Sequence, residues 1–212
     1  LVPNGVDPEM FNSGDDSSAF RNKHALTGRY VVLYAGAHGV SNDLEVVLSA
    51  AKLTAFQPEI VYVFVGDGKE KQNLMQLADQ LGLDNVRFIP AVAKEEMGGV
   101  LAAADACIAI LKPVELYKTT YPNKVFDYMA AARPVLCAID GAIREVVETA
   151  PAGIFVTPGD PAALAESVQL LFKNQLLSIQ LGINGREYVE KHFNRQVISA
   201  RMEKILIETA QK

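Results

Sequence analysis

The feature that most constrains the fold of this chain is a regular alternation of short apolar runs with segments of helical periodicity. The runs are rich in β-branched and aromatic residues, and each of them leads into a segment with the spacing of a helix. They lie at 29–36, 60–68, 85–92, 106–112, 133–140 and 153–160. Because they are apolar throughout rather than alternately polar, they are typical of strands that are covered on both faces.

This alternation predicts an α/β fold, namely one Rossmann-like, doubly wound parallel sheet of about six strands with helices on both faces. We assign residues 29–173 to this sheet domain and residues 1–28, which contain no strand pattern, to a lead-in. Residues 174–212 are predicted to form C-terminal helices of the same domain, with a break near Phe193. Helices that run past the sheet need a further surface to cover them, so we expect a neighbouring domain outside this chain.

Composition argues against several classes of function. A net charge of −5 gives no electrostatic basis for binding nucleic acid or anionic lipid. The best apolar stretch, 100–111, is interrupted by Asp105 and is shorter than the ~18 residues of a membrane span. Cys107 and Cys137 lie in apolar runs without metal-binding spacing, which favours buried free thiols in a cytoplasmic protein.

The loops that follow parallel strands open at one edge of the sheet, the carboxyl edge, where ligands bind. Glycine-bearing turns at 36–39 and 66–68 precede predicted helices, and they would let backbone N–H groups approach a phosphate closely. The turn GAHG at 36–39 is not a GxGxxG fingerprint, and the chain contains no GxxxxGK[ST] segment. Dinucleotide binding and P-loop hydrolysis are therefore disfavoured.

Residues 119–129, TTYPNKVFDYM, place Lys124 in the first turn of a helix that begins near Pro122. The helix dipole disfavours a cation there, so the lysine either pairs with Asp127 on the surface or faces an anion. The position favours an anion, because this helix begins at the carboxyl edge and faces the first glycine turn. Lys124 would neutralise a diphosphate and Asp127 would accept a hydrogen bond from a sugar hydroxyl, which fits a nucleotide sugar.

His38 lies in the turn after the first predicted strand, where such a diphosphate would sit. One interpretation is a solvated turn residue. The other, which we prefer, is a hydrogen bond from the imidazole to a phosphate or to the sugar.

Several segments, taken in order, resemble the C-terminal, donor-binding domain of the family-4 (group 1) retaining glycosyltransferases, which have the two-domain GT-B architecture. These segments are YAG, FVGDG, NVRFIPAV, PNKVFDYMAAARPVLC, GAIREVV and GIFVTPGDPAALAESV. The earlier segment VPNGVDPEMF resembles the hinge that follows the acceptor domain, which implies that residues 1–11 form an extended hinge. The resemblance covers almost the whole chain and implies that the N-terminal acceptor domain lies outside it, so that this fragment alone binds donor without turnover.

The resemblance also implies roles for individual residues. The family usually has two glutamates eight positions apart, and here Thr119 and Asp127 stand at those positions, the second facing the ribose. The usual basic residues after the first strand are absent, so Lys124 and His38 would stabilise the leaving diphosphate, which makes them catalytic candidates together with Thr119. Ala132 stands where glycine is usual. The implied donor-binding residues, with Val92 at the base and Thr120 and Tyr121 at the sugar, are Gly36, Ala37, Gly39, Gly66, Val92, Thr120, Tyr121 and Asp127.

The implied function is metal-independent transfer of a sugar from a UDP- or GDP-linked donor to an acceptor hydroxyl, with retention, in polysaccharide, lipopolysaccharide or glycolipid synthesis. The missing domain would bind a lipid-linked or saccharide acceptor, and the full-length protein would lie in the cytoplasm or peripherally at the inner face of the cytoplasmic membrane. Two alternatives stay open: a GT-B nucleotide-sugar epimerase and a non-catalytic nucleotide-binding module.

Overall fold

The structure, a computed structural model, describes residues 4–11 and 17–210. Their strands form one parallel sheet in the order β3-β2-β1-β4-β5-β6. The strands are β1 (Tyr30–Ala35), β2 (Ile60–Val65), β3 (Val86–Ile89), β4 (Ala106–Ile110), β5 (Val135–Ala138) and β6 (Gly153–Phe155). The predicted Rossmann-like, doubly wound parallel sheet is confirmed, and the strand order reverses its direction between β1 and β4.

Helices follow the strands, as the alternation predicts. They are α1 (Ser17–Lys23), α2 (Leu44–Leu53), α3 (Lys71–Leu81), α4 (Met97–Ala102), α5 (Asn123–Ala130), α6 (Ala142–Thr149), α7 (Pro161–Lys173), α8 (Gln175–His192) and α9 (Arg195–Ala210). Short 3₁₀ helices lie at Pro8–Met10, Val40–Asn42, Lys94–Glu96 and Glu115–Thr119.

The strands are unbroken apolar runs because each face of the sheet is covered by helices. Along β1, Val31 and Leu33 face a core that includes side chains of α4, α5 and α6. Val32 and Tyr34 face a second core that includes side chains of α2, α3 and α7. Successive side chains of a strand therefore point alternately into two apolar cores here, rather than into one core and into water.

The described start of the chain meets the junction between α8 and α9 on one side of this sheet. Val6 forms an isolated bridge with Asn194, and the Arg195 side chain makes an ion pair with Asp7 at 2.8 Å. Residues 1–3 of the predicted hinge, like residues 12–16 of the lead-in, lie outside the described residues. In the described part, 4–11, Val6 and Phe11 are buried in the core, which the prediction of an extended hinge did not include.

Candidate functional site

The glycine turns after β1 and β2 touch each other at the carboxyl edge. Gly36 has φ +145° and Gly66 has φ +149°, in the region that favours glycine. A Cβ atom on Gly66 would come within 1.9 Å of the Gly36 carbonyl oxygen, and one on Gly36 would come within 2.7 Å of Lys124 Nζ. Two strand ends and the start of α5 therefore converge next to the switch point of the sheet.

Lys124 is the second residue of α5, and its half-buried ammonium group lies on this glycine contact. Its Nζ donates a hydrogen bond to the Tyr34 hydroxyl at 2.8 Å and lies 4.1 Å from the centroid of the same ring. Burial lowers the pKa of Lys124 to about 8. No ion pair joins Lys124 to an acidic side chain within residues 4–11 and 17–210, so the alternative of a Lys124–Asp127 surface pair is not what the structure shows.

The His38 side chain lies elsewhere than the sequence predicts. Its ring is completely buried among the rings of Tyr34, Phe64 and Phe88, with centroid distances of 6.1 to 6.2 Å. Neither Nδ1 nor Nε2 has a hydrogen-bond partner within the described residues. In this conformation the imidazole does not reach a ligand at the carboxyl edge, because the aromatic side chains of β1, β2 and β3 hold it beneath the turn.

Burial lowers the pKa of His38 to about 4; the positive charge of Lys71 and, less strongly, that of Lys124 act in the same direction, and the negative charge of Asp67 opposes them. Two hydrogen bonds fix the backbone of His38. The His38 N–H donates to the Asp67 carbonyl at 2.8 Å, and the Glu70 N–H donates to the His38 carbonyl at 3.0 Å. A neutral imidazole under a rigid turn follows from these contacts. Of the flanking predicted residues, Ala37 is exposed and Gly39 is half-buried.

The segment before α5 is held rigidly by its neighbours. The Thr119 hydroxyl donates to the Leu116 carbonyl at 3.1 Å and the Thr120 hydroxyl donates to the Tyr117 carbonyl at 2.7 Å. The Tyr117 hydroxyl in turn donates to Ser41 Oγ at 2.7 Å. Thr119 is exposed, Thr120 and Tyr121 are half-buried, and the threonine hydroxyls are engaged locally.

Asp127 lies one turn after Lys124 and is half-buried. Burial raises the pKa of Asp127 to about 6, while the charges of Arg195 and Lys94 oppose the shift. A carboxylate in these surroundings is largely ionised at neutral pH and can accept a hydrogen bond from a hydroxyl group.

Val92 lines a cleft of about 510 Å³ between α1, α4 and the loop after β3. Its walls include Phe20, Ile89 and Val100, and Lys23 and Glu96 bring charged groups to it. The predicted base-binding residue is therefore beside a cavity with apolar walls, which suits a flat ring.

The sequence pattern did not indicate that Lys71 lies at this group of turns. It is the first residue of α3, is half-buried, and donates a hydrogen bond from Nζ to the Gly66 carbonyl at 2.8 Å. In the sequence it belongs to the charged run KEKQ, which is typical of a solvated helix start. The one available signal was its place, directly after a glycine turn at the carboxyl edge.

The described residues contain neither a cluster suited to a metal ion nor a helix suited to a membrane. No group of three or more histidine, cysteine, aspartate or glutamate side chains is placed to hold a metal ion within 4–11 and 17–210. In the same ranges, no helix combines the length and the apolar character that crossing a bilayer requires.

Curated proteins related in sequence are glycosyltransferases. The chain is 29% identical over 219 residues to a D-inositol 3-phosphate glycosyltransferase of Nocardioides sp., which covers 93% of this chain and 47% of that protein. It is 25% identical to the putative colanic acid biosynthesis glycosyl transferase WcaI of Escherichia coli K12, over 85% of this chain and 44% of that protein. The chain thus spans about half the length of the curated relatives it matches.

Solved structures share the fold. The Anabaena protein Alr3699/HepE, solved in complex with UDP, superposes with a TM-score of 0.88 at 21% identity, over 98% of this chain and 57% of that one. Sucrose-phosphate synthase from Thermosynechococcus elongatus superposes with a TM-score of 0.87 at 25% identity, over 100% of this chain and 52% of that one. The family model described as "Glycosyl transferases group 1" matches residues 29–174, which is more than half of the chain. This chain therefore belongs to the group 1 glycosyl transferases.

Proposed function

We propose that this chain is the donor-binding half of a glycosyltransferase that moves a sugar from a nucleotide-diphosphate donor to an acceptor hydroxyl with retention. The observation that carries the proposal is the half-buried Lys124 ammonium group, which lies against Gly36 at the start of α5 without an acidic partner in the described chain. A diphosphate at this point would meet a positive charge, the free N–H groups of a helix N-terminus and a turn without side chains.

These groups act most strongly on the charge that develops as the nucleotide leaves the sugar. Lys124 and the first-turn N–H groups of α5 would stabilise the departing diphosphate, which lowers the barrier because they are fixed before the reaction begins. In the same proposal Asp127 accepts a hydrogen bond from the ribose, backbone groups near Val92 meet the base, and Thr120 and Tyr121 border the sugar. The charge of the leaving group is met in this way without a metal ion.

The chemistry of the donor draws support from the relatives. The Anabaena protein of the same fold was solved with UDP and with UDP-glucose. Related sequences are named for colanic acid and O-antigen synthesis. We therefore propose a UDP-linked donor, with GDP as the alternative, and a saccharide or lipid-linked acceptor for the full-length protein, at the inner face of the cytoplasmic membrane when the acceptor is a lipid.

The acceptor would bind to a second domain outside this chain, consistent with the half-length match to the relatives. The state of Thr119 favours the competing function, a nucleotide-binding module without transfer. Thr119 is exposed, and its hydroxyl donates to the Leu116 carbonyl rather than facing a substrate. Joining the preceding domain and measuring release of nucleoside diphosphate, with and without acceptor, separates these functions. An epimerase would instead convert the sugar nucleotide without releasing the diphosphate for an acceptor.

The donor site itself is tested by calorimetry with UDP, GDP and uridine, with and without Mg²⁺. Lys124→Ala should lower the affinity for UDP or GDP by roughly ten- to a hundredfold, which corresponds to the loss of one charge-assisted hydrogen bond. The affinity for uridine should stay almost unchanged. The melting temperature of the free chain should hardly change, because removing a partly desolvated charge without an acidic partner offsets the loss of its hydrogen bond to the Tyr34 hydroxyl. Lys118→Ala, which removes an exposed lysine paired with Glu115 at the same edge, is the matched control and should leave UDP affinity unchanged.

Asp127→Asn should behave differently from Lys124→Ala. If Asp127 accepts from the ribose, uridine and UDP lose affinity by the same factor. Absence of any binding at millimolar nucleotide, or binding that depends wholly on Mg²⁺, would contradict the proposed site. A Lys124→Ala protein that unfolds more easily yet binds UDP normally would assign Lys124 a structural role.

A further inference from the structure

We infer that Lys71 is a second cation for the donor's diphosphate, placed opposite Lys124 across the contact between the Gly36 and Gly66 turns. This inference rests on the proposed donor site. It adds a residue from α3 that neither the sequence motifs nor the resemblance to the family indicates.

The Lys71 ammonium group lies at the turn after β2. Its Nζ lies 2.8 Å from the Gly66 carbonyl oxygen, so it is held above the turn after β2. The Gly66 backbone packs on the Gly36 carbonyl, and on the other side Gly36 packs on Lys124 Nζ. Each of two touching glycine turns at the carboxyl edge therefore carries one lysine ammonium group.

The positive charges of Lys71 and Lys124 have no acidic ion-pair partner in the described residues. Among the ion pairs of residues 4–11 and 17–210, none includes Lys71 or Lys124. Asp67, the acidic side chain of the same turn, is exposed and accepts a hydrogen bond from the Gly68 N–H at 2.8 Å. An ammonium group has three hydrogens, and the Gly66 carbonyl takes one of those on Lys71, so others stay available to a phosphate oxygen.

The buried imidazole of His38 lies beneath both turns. The positive charges of Lys71 and Lys124 both lower the pKa of His38, after the larger effect of burial, while the exposed Asp67 opposes them. Both ammonium groups therefore act on the same small region, and a single anion above it can interact with both. A nucleoside diphosphate carries enough negative charge to balance two lysines, whereas a neutral nucleoside would gain nothing from them.

The test compares Lys71→Gln with Lys69→Gln in titrations with UDP, UMP and uridine. Glutamine keeps an N–H donor for the Gly66 carbonyl and removes the charge, while Lys69 is an exposed lysine two residues earlier and serves as the control. Lys71→Gln should weaken UDP roughly tenfold, weaken UMP less and leave uridine unchanged, whereas Lys69→Gln should change UDP affinity by less than about twofold. Lys71→Arg, which keeps the charge, should retain most of the UDP affinity.

Two results would overturn the inference while the proposed function stands. In one, Lys71→Gln binds UDP as the unchanged chain does, although Lys124→Ala weakens it. In the other, Lys71→Gln weakens UDP and uridine by the same factor, which would show that Lys71 only supports the turn. Failure of the unchanged chain to bind UDP at all would overturn the inference and the proposed function together.

Discussion

His38 combines complete burial with two ring nitrogens that have no hydrogen-bond partner in the described part of the chain. Leaving a buried polar group unpaired costs about 1–3 kcal/mol. Aromatic packing offsets this cost. Phe64 and Phe88 stack on each other with centroids 5.0 Å apart, and the His38 ring packs edge-on against both. Its neutral form is the only one that suits these surroundings.

The consequence is a stability that falls in mild acid. The folded-state pKa of His38 is about 4, below the ordinary value of 6.5, so the unfolded chain takes up the proton first as the pH falls. Titration of His38 has almost no effect on the free energy of unfolding above about pH 7. At about pH 5 it lowers this free energy by about 2 kcal/mol. Protonation of Asp127 offsets part of this loss in the same pH range, so the His38 effect is measured by urea unfolding against a variant that lacks the imidazole.

The control for this prediction is His38→Gln, which cannot titrate. Asp127, whose pKa is raised to about 6, changes stability in the opposite direction, but it does so equally in both proteins. The difference between the two unfolding free energies should therefore change by about 2 kcal/mol between the two pH values. Parallel pH profiles for the two proteins would contradict the assignment of the effect to His38.

Single residues show what the sequence could and could not predict about the site. Lys124 lies next to the glycine turn, as predicted, because the order of strands and helices decides which residues reach the carboxyl edge. Ala132 adopts φ +53°, a conformation that favours glycine, which is the residue that the resemblance to the family implies at this position. The direction of the His38 ring and the reach of Lys71 were not predictable, because packing between β2, β3 and α3 determines them and local pattern does not.

At the scale of elements, the apolar runs predicted every strand of the sheet but overstated their lengths. The run 85–92 gives a strand only at Val86–Ile89, and the run 153–160 gives one only at Gly153–Phe155. Beyond Ile89 the first run continues with Pro90 and Ala91, which are apolar but exposed in the loop of the carboxyl edge, so hydrophobicity alone does not mark where a strand ends. The order of the strands was not predicted, since it depends on pairing between residues far apart in the chain.

The 3₁₀ helix Glu115–Thr119 depends on a glycine in another loop. Gly141 has φ +87°, and a Cβ atom there would come within 2.1 Å of the Lys118 carbonyl oxygen. Gly82, which ends α3, has φ +63° with nothing within 4 Å of the added atom. Alanine at either position is strained, yet only Gly141→Ala also displaces the segment that leads to Thr120 and Tyr121.

We therefore expect Gly82→Ala to cost about 1–2 kcal/mol of unfolding free energy without changing UDP affinity. Gly141→Ala should cost more than this and should also weaken UDP several-fold. Urea unfolding and calorimetry on the two variants measure both quantities. Equal effects of the two substitutions on UDP affinity would show that the loop after β5 does not position the donor segment.

At the scale of the whole molecule, α9 is the element without a core. None of its described residues is buried, and its exposed apolar side chains are Val197, Met202, Ile205, Leu206 and Ile207. By contrast, α8 packs closely, with Gly182 against the Ala132 carbonyl and Gly185 against Met129. The described start of the chain lies beside α9 through the Val6–Asn194 bridge and the Asp7–Arg195 ion pair. A domain that precedes this segment would enter at the N-terminal end of α9, and the exposed apolar side chains continue along this helix.

Leu206→Glu tests whether the proposed acceptor half covers α9. In the present chain the Leu206 side chain is 58% exposed, so the substitution should change the free energy of unfolding by no more than about 0.5 kcal/mol. In a protein that includes the preceding half, the same change would bury an unpaired carboxylate and should destabilise it by several kcal/mol, since burying a charge without a partner is costly. Lys204→Glu, which changes a more exposed position on the opposite side of the helix, is the control and should have little effect in either protein. Urea unfolding of both forms measures the difference, and a small effect of Leu206→Glu in the longer protein would mean that the acceptor half leaves this side of α9 uncovered.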